Sequence, residues 1–219
     1  IGSRESNLKS NFDNGVTVEF WLKKDEFNNS LTEKEVVFDM WNNVTSSDAA
    51  YARMRIELTG ASTGSPFLIT AKSSSSGLYQ QSIGEGLTVS SLSTFAHYAF
   101  TFYNSGSHLK TELYVNGVLN DTNTQLGALN ELNSKNMVGR IGALLTSSVG
   151  PSSDFQFASG SAGAGKLSGS IDEFRFWKAR RTAEDIGLNW KAQVRGGANT
   201  DVNNTTLGAD AGYFMEECT

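Results

Sequence analysis

A chain of 219 residues is long enough for one large β domain and does not require two. Its 18 Lys and Arg against 23 Asp and Glu leave a formal charge of −5, which argues against the basic face that a nucleic-acid backbone demands. One cysteine, Cys218, rules out an internal disulfide framework, two histidines leave no usual zinc ligand set, and no apolar run approaches the roughly 18 residues of a membrane span.

The chain opens at Ile1-Gly2-Ser3 without methionine and carries no signal peptide, so it reads as a processed protein or a segment of a longer polypeptide. Val16, Val18, Phe20 and Leu22 alternate with Thr17, Glu19, Trp21 and Lys23, the pattern of a half-buried strand. Residues 24–32 read as a polar loop. Val36, Phe38 and Met40 alternate with Glu35, Val37, Asp39 and Trp41 in a second strand. In Tyr51–Leu58, Met54, Ile56 and Leu58 share one face and Arg53, Arg55 and Glu57 the other. Pro66–Lys72 and Leu78–Ile83 read as neighbouring strands around the turn Ser73–Gly77.

Phe95–Tyr103 presents the stripe Tyr98, Phe100, Phe102. Lys110–Asn116 runs into Asn116-Gly117, the strongest hairpin signal in the chain, and Val118–Thr122 returns. Met137–Leu144 is another strand. Residues 146–166, rich in Ser, Gly and Ala, predict a long loop with at most a short strand at Phe155–Phe157. At Gly169–Trp177 strand alternation places Asp172, Phe174 and Phe176 on one side and Glu173, Arg175 and Trp177 on the other. The period then changes: Thr182 with Asp185 reads as a helix N-cap, and Ile186 and Trp190 share a helix face. A polar loop over 195–206 and a last strand, Leu207–Met215, complete the chain. About a dozen strands exceed what one open sheet usually holds, so the predicted fold is all-β: a two-sheet antiparallel β-sandwich, or jelly roll, with a short helix after the penultimate strand.

Four blocks carry a family resemblance: Val16–Lys23, Phe95–Phe102, Glu112–Gly117, and Gly169–Trp177 with its Thr-Ala-Glu-Asp-Ile helix. In this order they resemble laminin G-like domains of the concanavalin A-like lectin/glucanase jelly rolls, over nearly the whole chain. The first block and Glu33–Trp41 also look like virion structural proteins of marine tailed phages, which implies a place on a virion or extracellular surface among neighbouring virion or surface proteins. The fold does not fix the function, because this family includes lectins, adhesion modules, glycosidases and scaffolds.

Three chemistries can be weighed. Glycoside hydrolysis needs two carboxyls roughly 5–10 Å apart. Glu35 and Asp39 lie about 13 Å apart along a strand, and the better-spaced Glu33–Glu35 pair sits at a loop-to-strand boundary, so solvated strand-end charges are the better reading. Neither an acyl-transfer elbow nor a phosphate-binding loop is present. The resemblance implies a structural calcium held by an acid at the start of the late strand, and Asp172 matches that acid. Sharing a face with Phe174 and Phe176, it is expected to point inward, where calcium, an arginine or backbone N–H groups would have to satisfy it. The loop Asn199–Asn203 offers alternating oxygens but reads more simply as a polar surface loop.

Sugar recognition needs an aromatic platform flanked by amides and acids. Trp41 followed by Asn42 and Asn43 has that chemistry at a strand-to-loop junction. Trp21 beside Glu19, and Tyr79 beside Gln80 and Gln81, carry it more weakly, and packing competes for both Trp21 and Trp41. Trp177 is expected to pack with Trp190 on the terminal helix. Sequons begin at Asn28, Asn43, Asn120, Asn203 and Asn204, as a composition rich in Asn, Ser and Thr generates by chance. The expectation is a non-catalytic carbohydrate-binding or adhesion module for a surface glycan, with a purely structural virion module as the alternative and a glycosidase as a remote one.

Overall fold

The computed structural model describes residues 8–25, 27, 34–42, 44, 49–60, 64–129, 132, 137–144 and 165–192. Ten strands form among them: β1 Val16–Lys23, β2 Lys34–Trp41, β3 Ala52–Thr59, β4 Phe67–Ser73, β5 Ser76–Ile83, β6 Ala96–Ser105, β7 His108–Val115, β8 Val118–Leu126, β9 Val138–Ile141 and β10 Ser170–Trp177. A 3₁₀ helix spans Val89–Ser93 and one α-helix, α1, spans Ala183–Asn189. The strands expected at Phe155–Phe157 and Leu207–Met215 lie outside the described residues.

Two five-stranded antiparallel sheets result, ordered β10-β1-β6-β7-β8 and β5-β4-β3-β2-β9. The alternating apolar positions fill the space between them. Phe67 of the second sheet meets Tyr98 and Phe100 of the first at 4.8 and 5.2 Å between ring centroids, and Phe38 meets Phe174 and Phe176 at 5.2 and 5.8 Å. Each such buried ring contributes about 2 kcal/mol by leaving water, and ring pairing adds to it.

The outer faces are also closed, and with charge. Asp39, Arg53, Arg55 and Glu57 are all buried on the second sheet. The Arg53 guanidinium grips Asp39 with two bonds of 2.8 and 2.6 Å, and Arg55 lies 2.9 Å from Glu57. On the first sheet Glu19, Glu112 and Arg175 are buried. Parallel faces of charge thus flank an apolar centre, each carboxylate answered by a cation, as a low-dielectric site requires.

The helix is where its cap places it. Thr182 Oγ1 accepts the Asp185 N–H at 3.1 Å and Asp185 Oδ2 accepts the Thr182 N–H at 3.0 Å, a closed capping box. The segment leading into α1 is bolted to β1: Arg181 donates to Glu19 Oε1 at 2.8 Å, and Thr17 Oγ1 accepts the Arg181 N–H at 2.9 Å. Trp190 then reaches back across the β7–β8 hairpin. That turn uses Asn116 and Gly117 at φ 50° and 81°, the left-handed pair its sequence predicts. A Cβ on Gly117 would lie 2.3 Å from the Trp190 ring, so only glycine lets the helix end dock there.

Four pairings of described strands contain a register shift, and two of these change which way the predicted site residues point. In β10, Glu19 pairs with Arg175 but Trp21 with Asp172, so Glu173 and Phe174 together oppose Phe20, and Glu173 takes φ 48°. In β2, Val36 pairs with Glu57 and Phe38 with Ile56, leaving Val37 extra. Each bulge inserts one residue and reverses the alternation beyond it.

Candidate functional site

The bulge in β10 corrects the expectation for Asp172. Phe174 and Phe176 do point inward, but Asp172 lies across from Trp21 on the outer face and is exposed. Its Oδ1 accepts the Glu173 N–H at 2.9 Å. The inward acid that a calcium site of the implied kind needs is therefore not what Asp172 supplies. Among the described residues no group of three His, Cys, Asp or Glu is gathered to hold a metal.

Trp41 is corrected in the opposite sense. It is 3% exposed at the end of β2, its Nε1 donates to Val44 O at 2.8 Å, and the Arg53 guanidinium stands 5.3 Å from its ring. Asn42, 2% exposed, donates to Ala50 O at 2.5 Å and accepts the Ala52 N–H at 3.2 Å. Both fasten the β2–β3 connection and present no platform to a sugar. Asn43 lies outside the described residues. Tyr79 is half-buried on β5, separated from β2 by two intervening strands, next to an irregularity at Gln80 where Thr70 Oγ1 accepts the Gln80 N–H at 3.1 Å.

The β2 bulge likewise separates the acids weighed for hydrolysis. Glu35 turns towards the first sheet, where it takes two bonds of 2.7 and 2.8 Å from the buried Lys24 ammonium and one of 2.7 Å from the Ser168 N–H. Asp39 turns outward to Arg53. They face opposite sides of the strand and each is committed to a cation. Neither is the solvated strand-end charge that alternation implies. Glu33 lies outside the described residues, as do the Asn199–Asn203 loop and every sequon asparagine except Asn120. That one has its Nδ2 engaged with Glu85 O at 3.0 Å.

Two of the expected residues, Trp21 and Asp172, do come together. They line a depression of about 260 Å³ with Phe95, Glu173, Lys191 and Ala192. β1 supplies Trp21, the bulged start of β10 supplies Asp172 and Glu173, the approach to β6 supplies Phe95, and the segment after α1 supplies Lys191. Phe95 is 47% exposed. Trp21 is held from behind: the His97 ring meets it edge-on at 5.8 Å and Trp190 packs on it at 5.6 Å. Trp190 thus serves this site, while Trp177 is buried beneath the Arg181 guanidinium, 4.5 Å from its ring.

The charges under the depression are fixed. Glu19 Oε2 lies 3.4 Å from His97 Nε2 and 3.7 Å from Arg175. Burial pushes the Glu19 carboxyl up, but the His97 imidazole and the Arg181 guanidinium outweigh it and hold it below the usual range. Arg175 also pairs with Glu173 at 3.1 Å and donates to Ala192 O, closing the rim. The depression therefore offers an aromatic edge, two carboxylates and an ammonium on a floor that cannot easily shift.

Sequence reading missed Phe95, Glu173 and Lys191. Phe95 was legible in principle, since its parity sets it with His97 and against the Tyr98, Phe100, Phe102 stripe. Lys191 was not, because only the docking of α1 on the Asn116-Gly117 turn brings it there.

The family model described as the concanavalin A-like lectin/glucanases superfamily, of laminin G type, matches residues 4–187. Among solved structures the chain is similar to a native heptameric SAP-like pentraxin from Limulus polyphemus, with a TM-score of 0.53 at 13% identity over 82% of this chain and 70% of that one. It is also similar to the CBM40 of a Ruminococcus gnavus IT-sialidase bound to α2,3-sialyllactose, with a TM-score of 0.47 at 12% identity over 80% of this chain and 82% of that one. No curated protein matches the chain. The first likeness is one of fold, and it agrees with the two antiparallel sheets. Matched over residues 4–187, this chain belongs to the concanavalin A-like lectin/glucanases superfamily.

Proposed function

We propose that the chain is a non-catalytic carbohydrate-binding module, displayed on a virion or other extracellular surface, that takes a glycan at the Trp21 depression. The observation that carries this reading is the juxtaposition of Trp21 and the exposed Phe95 with Asp172, Glu173 and Lys191. A sugar ring has an apolar C–H face and a rim of hydroxyls. Aromatic rings take the face, carboxylates accept from the hydroxyls, and an ammonium donates to ring or hydroxyl oxygens. Preorganisation by His97 and Trp190 lowers the ordering cost of binding. Hydrolysis is not supported, since Glu35 and Asp39 point to opposite faces and are both neutralised.

A glycan array tests the proposal, with Phe95→Ala and Asp172→Asn as controls. Both side chains are exposed, so both variants are expected to fold. Specific hits that both variants lose are the expected result, and an array without hits would sink the reading.

A second reading, an assembly module with no small ligand, is favoured by Val118, Leu119 and Leu188, which are 69%, 49% and 75% exposed around the β7–β8 hairpin. Light scattering across protein concentration separates the two, because self-association abolished by Leu188→Lys belongs only to the second.

A further inference from the structure

A second and larger concavity, of about 790 Å³, opens where the edge strands β5 and β8 approach each other. It shares no described lining residue with the Trp21 depression. One wall is residues 84–90, the connection that leaves β5 and enters the 3₁₀ helix. This wall is fixed to the other sheet from two points on β8. Asp121 Oδ2 accepts the Gly84 N–H at 2.7 Å, and Asn120 Nδ2 donates to Glu85 O at 3.0 Å. Gly84 holds φ 121°, and a Cβ there would lie 2.6 Å from Ser65 Oγ, so the wall turns where only glycine fits. Within it Thr88 Oγ1 and Ser90 Oγ share a hydrogen bond of 2.8 Å.

The lining has three chemical components. Asp25 and Glu85 supply carboxylates, while Asp121 has its two oxygens on the Gly84 and Thr122 N–H groups; Ser82, Thr88 and Ser90 supply hydroxyls, and Leu87 and Val89 supply an apolar strip. No Lys, Arg or His is among the described lining residues, although Lys23 lies 3.4 Å from Asp25. The volume lies in the range of small-molecule clefts, and the concavity is open to solvent. Its polar groups accept more hydrogen bonds than they donate, and a concavity of one sign concentrates the opposite charge. A bare metal ion does not match, because the described acids are not gathered closely enough to ligate one. A ligand complementary to this lining has a carbon face for the apolar strip, hydroxyls for the exposed Ser82, Thr88 and Ser90, and a cation for Asp25 and Glu85.

We infer that this groove binds an amino sugar, a hexosamine unit carrying a free ammonium group. Selectivity arises because glucose lacks the cation, N-acetylglucosamine has it masked, and a simple amine lacks the ring.

The test is an amide NMR titration of the full chain with glucosamine, and with glucose, N-acetylglucosamine and ethanolamine as comparisons. Glucosamine is expected to shift the amides of residues 84–90 and to bind most tightly of the four. In Glu85→Gln, and separately in Asp25→Asn, its affinity falls roughly tenfold, the cost of one charge-assisted contact. Both side chains are exposed, so the thermal midpoint stays unchanged. Equal binding of glucose, of N-acetylglucosamine or of ethanolamine would overturn the inference, as would unmoved amides at 84–90. Failure here leaves the Trp21 site untouched, since that site reports through Trp21, Phe95 and Lys191, none of which lines the groove.

Discussion

Glu112 sits on the outer face of β7, nearly buried, and collects more donors than any other carboxylate described. Tyr103 and Tyr114 donate to it at 2.8 and 2.9 Å, Lys110 lies at 3.1 Å and Arg180 at 3.2 Å. Burial pushes its carboxyl up, but Tyr103, Lys110, Tyr114 and Arg180 together outweigh burial and bring it from 4.5 down to about 2. Burial, with the hydrogen bond each makes to Glu112, pushes the Tyr103 and Tyr114 hydroxyls up. A depressed carboxyl stabilises the fold fully above its unfolded value and loses that contribution as pH falls towards the folded one. Stability is therefore expected to drop between pH 4.5 and about 2, with Glu112→Gln flattening that part of the curve in urea titrations at stepped pH. A second residue-scale expectation concerns Asp39. Asp39→Asn leaves the Arg53 guanidinium with a neutral partner in a fully buried position. It should cost about 3 kcal/mol by chemical denaturation, because an uncompensated buried charge is worse than no pair. A loss below about 1 kcal/mol would place that pair effectively in solvent.

At the scale of elements, α1 is a short helix whose position depends on its two ends more than on its length. Thr182→Ala removes the cap and should cost about 1 kcal/mol. Gly117→Ala forces a Cβ against the Trp190 ring at φ 81° and should cost more. The two differ in one readout. Gly117→Ala is expected to red-shift tryptophan emission by lifting Trp190 from Trp21, whereas Thr182→Ala frays the helix start and leaves the emission nearly unchanged.

The elements also show how far residue order carries. Alternation located β1, β6 and β7 to within two or three residues, the Asn116-Gly117 turn was read correctly, and Thr182 with Asp185 identified the cap. The bulges were invisible to that reasoning. An inserted residue at Val37 or Glu173 has no compositional mark, and each reverses the face of every position on one side of it. That is why Asp172 was expected inside and lies outside, and why Glu35 and Asp39 were assigned one face and occupy two. Trp41 and Asn42 were misread for another reason. A tryptophan at a strand end looks the same in sequence whether it stacks on ligand or donates Nε1 to its own loop.

For the molecule as a whole, the sandwich places an apolar layer between two charged ones, and the two concavities described both border the β5–β6 connection. The β5–β6 connection serves both: its first part walls the groove at β8, and Phe95 at its end lines the Trp21 depression. Between them the 3₁₀ helix is pinned to the end of β1, where Leu92 O accepts the Lys24 N–H at 2.7 Å. Phe95 and the wall of the groove thus lie on a connection, whereas Trp21, Asp172 and Glu173 lie on strands. The four blocks that carry the family resemblance span this architecture but contain only Phe95, Trp21, Asp172 and Glu173 of the depression, which is why fold was legible and the site only partly so.

Recognition of a glycan at the Trp21 depression can be read from the four tryptophan indole N–H resonances while the best oligosaccharide from a glycan array is titrated in. Saturable movement of the Trp21 signal is expected, with Trp41 and Trp177 stationary. Movement of Trp41 with Trp21 stationary, or no indole movement while the glycan binds, would contradict it.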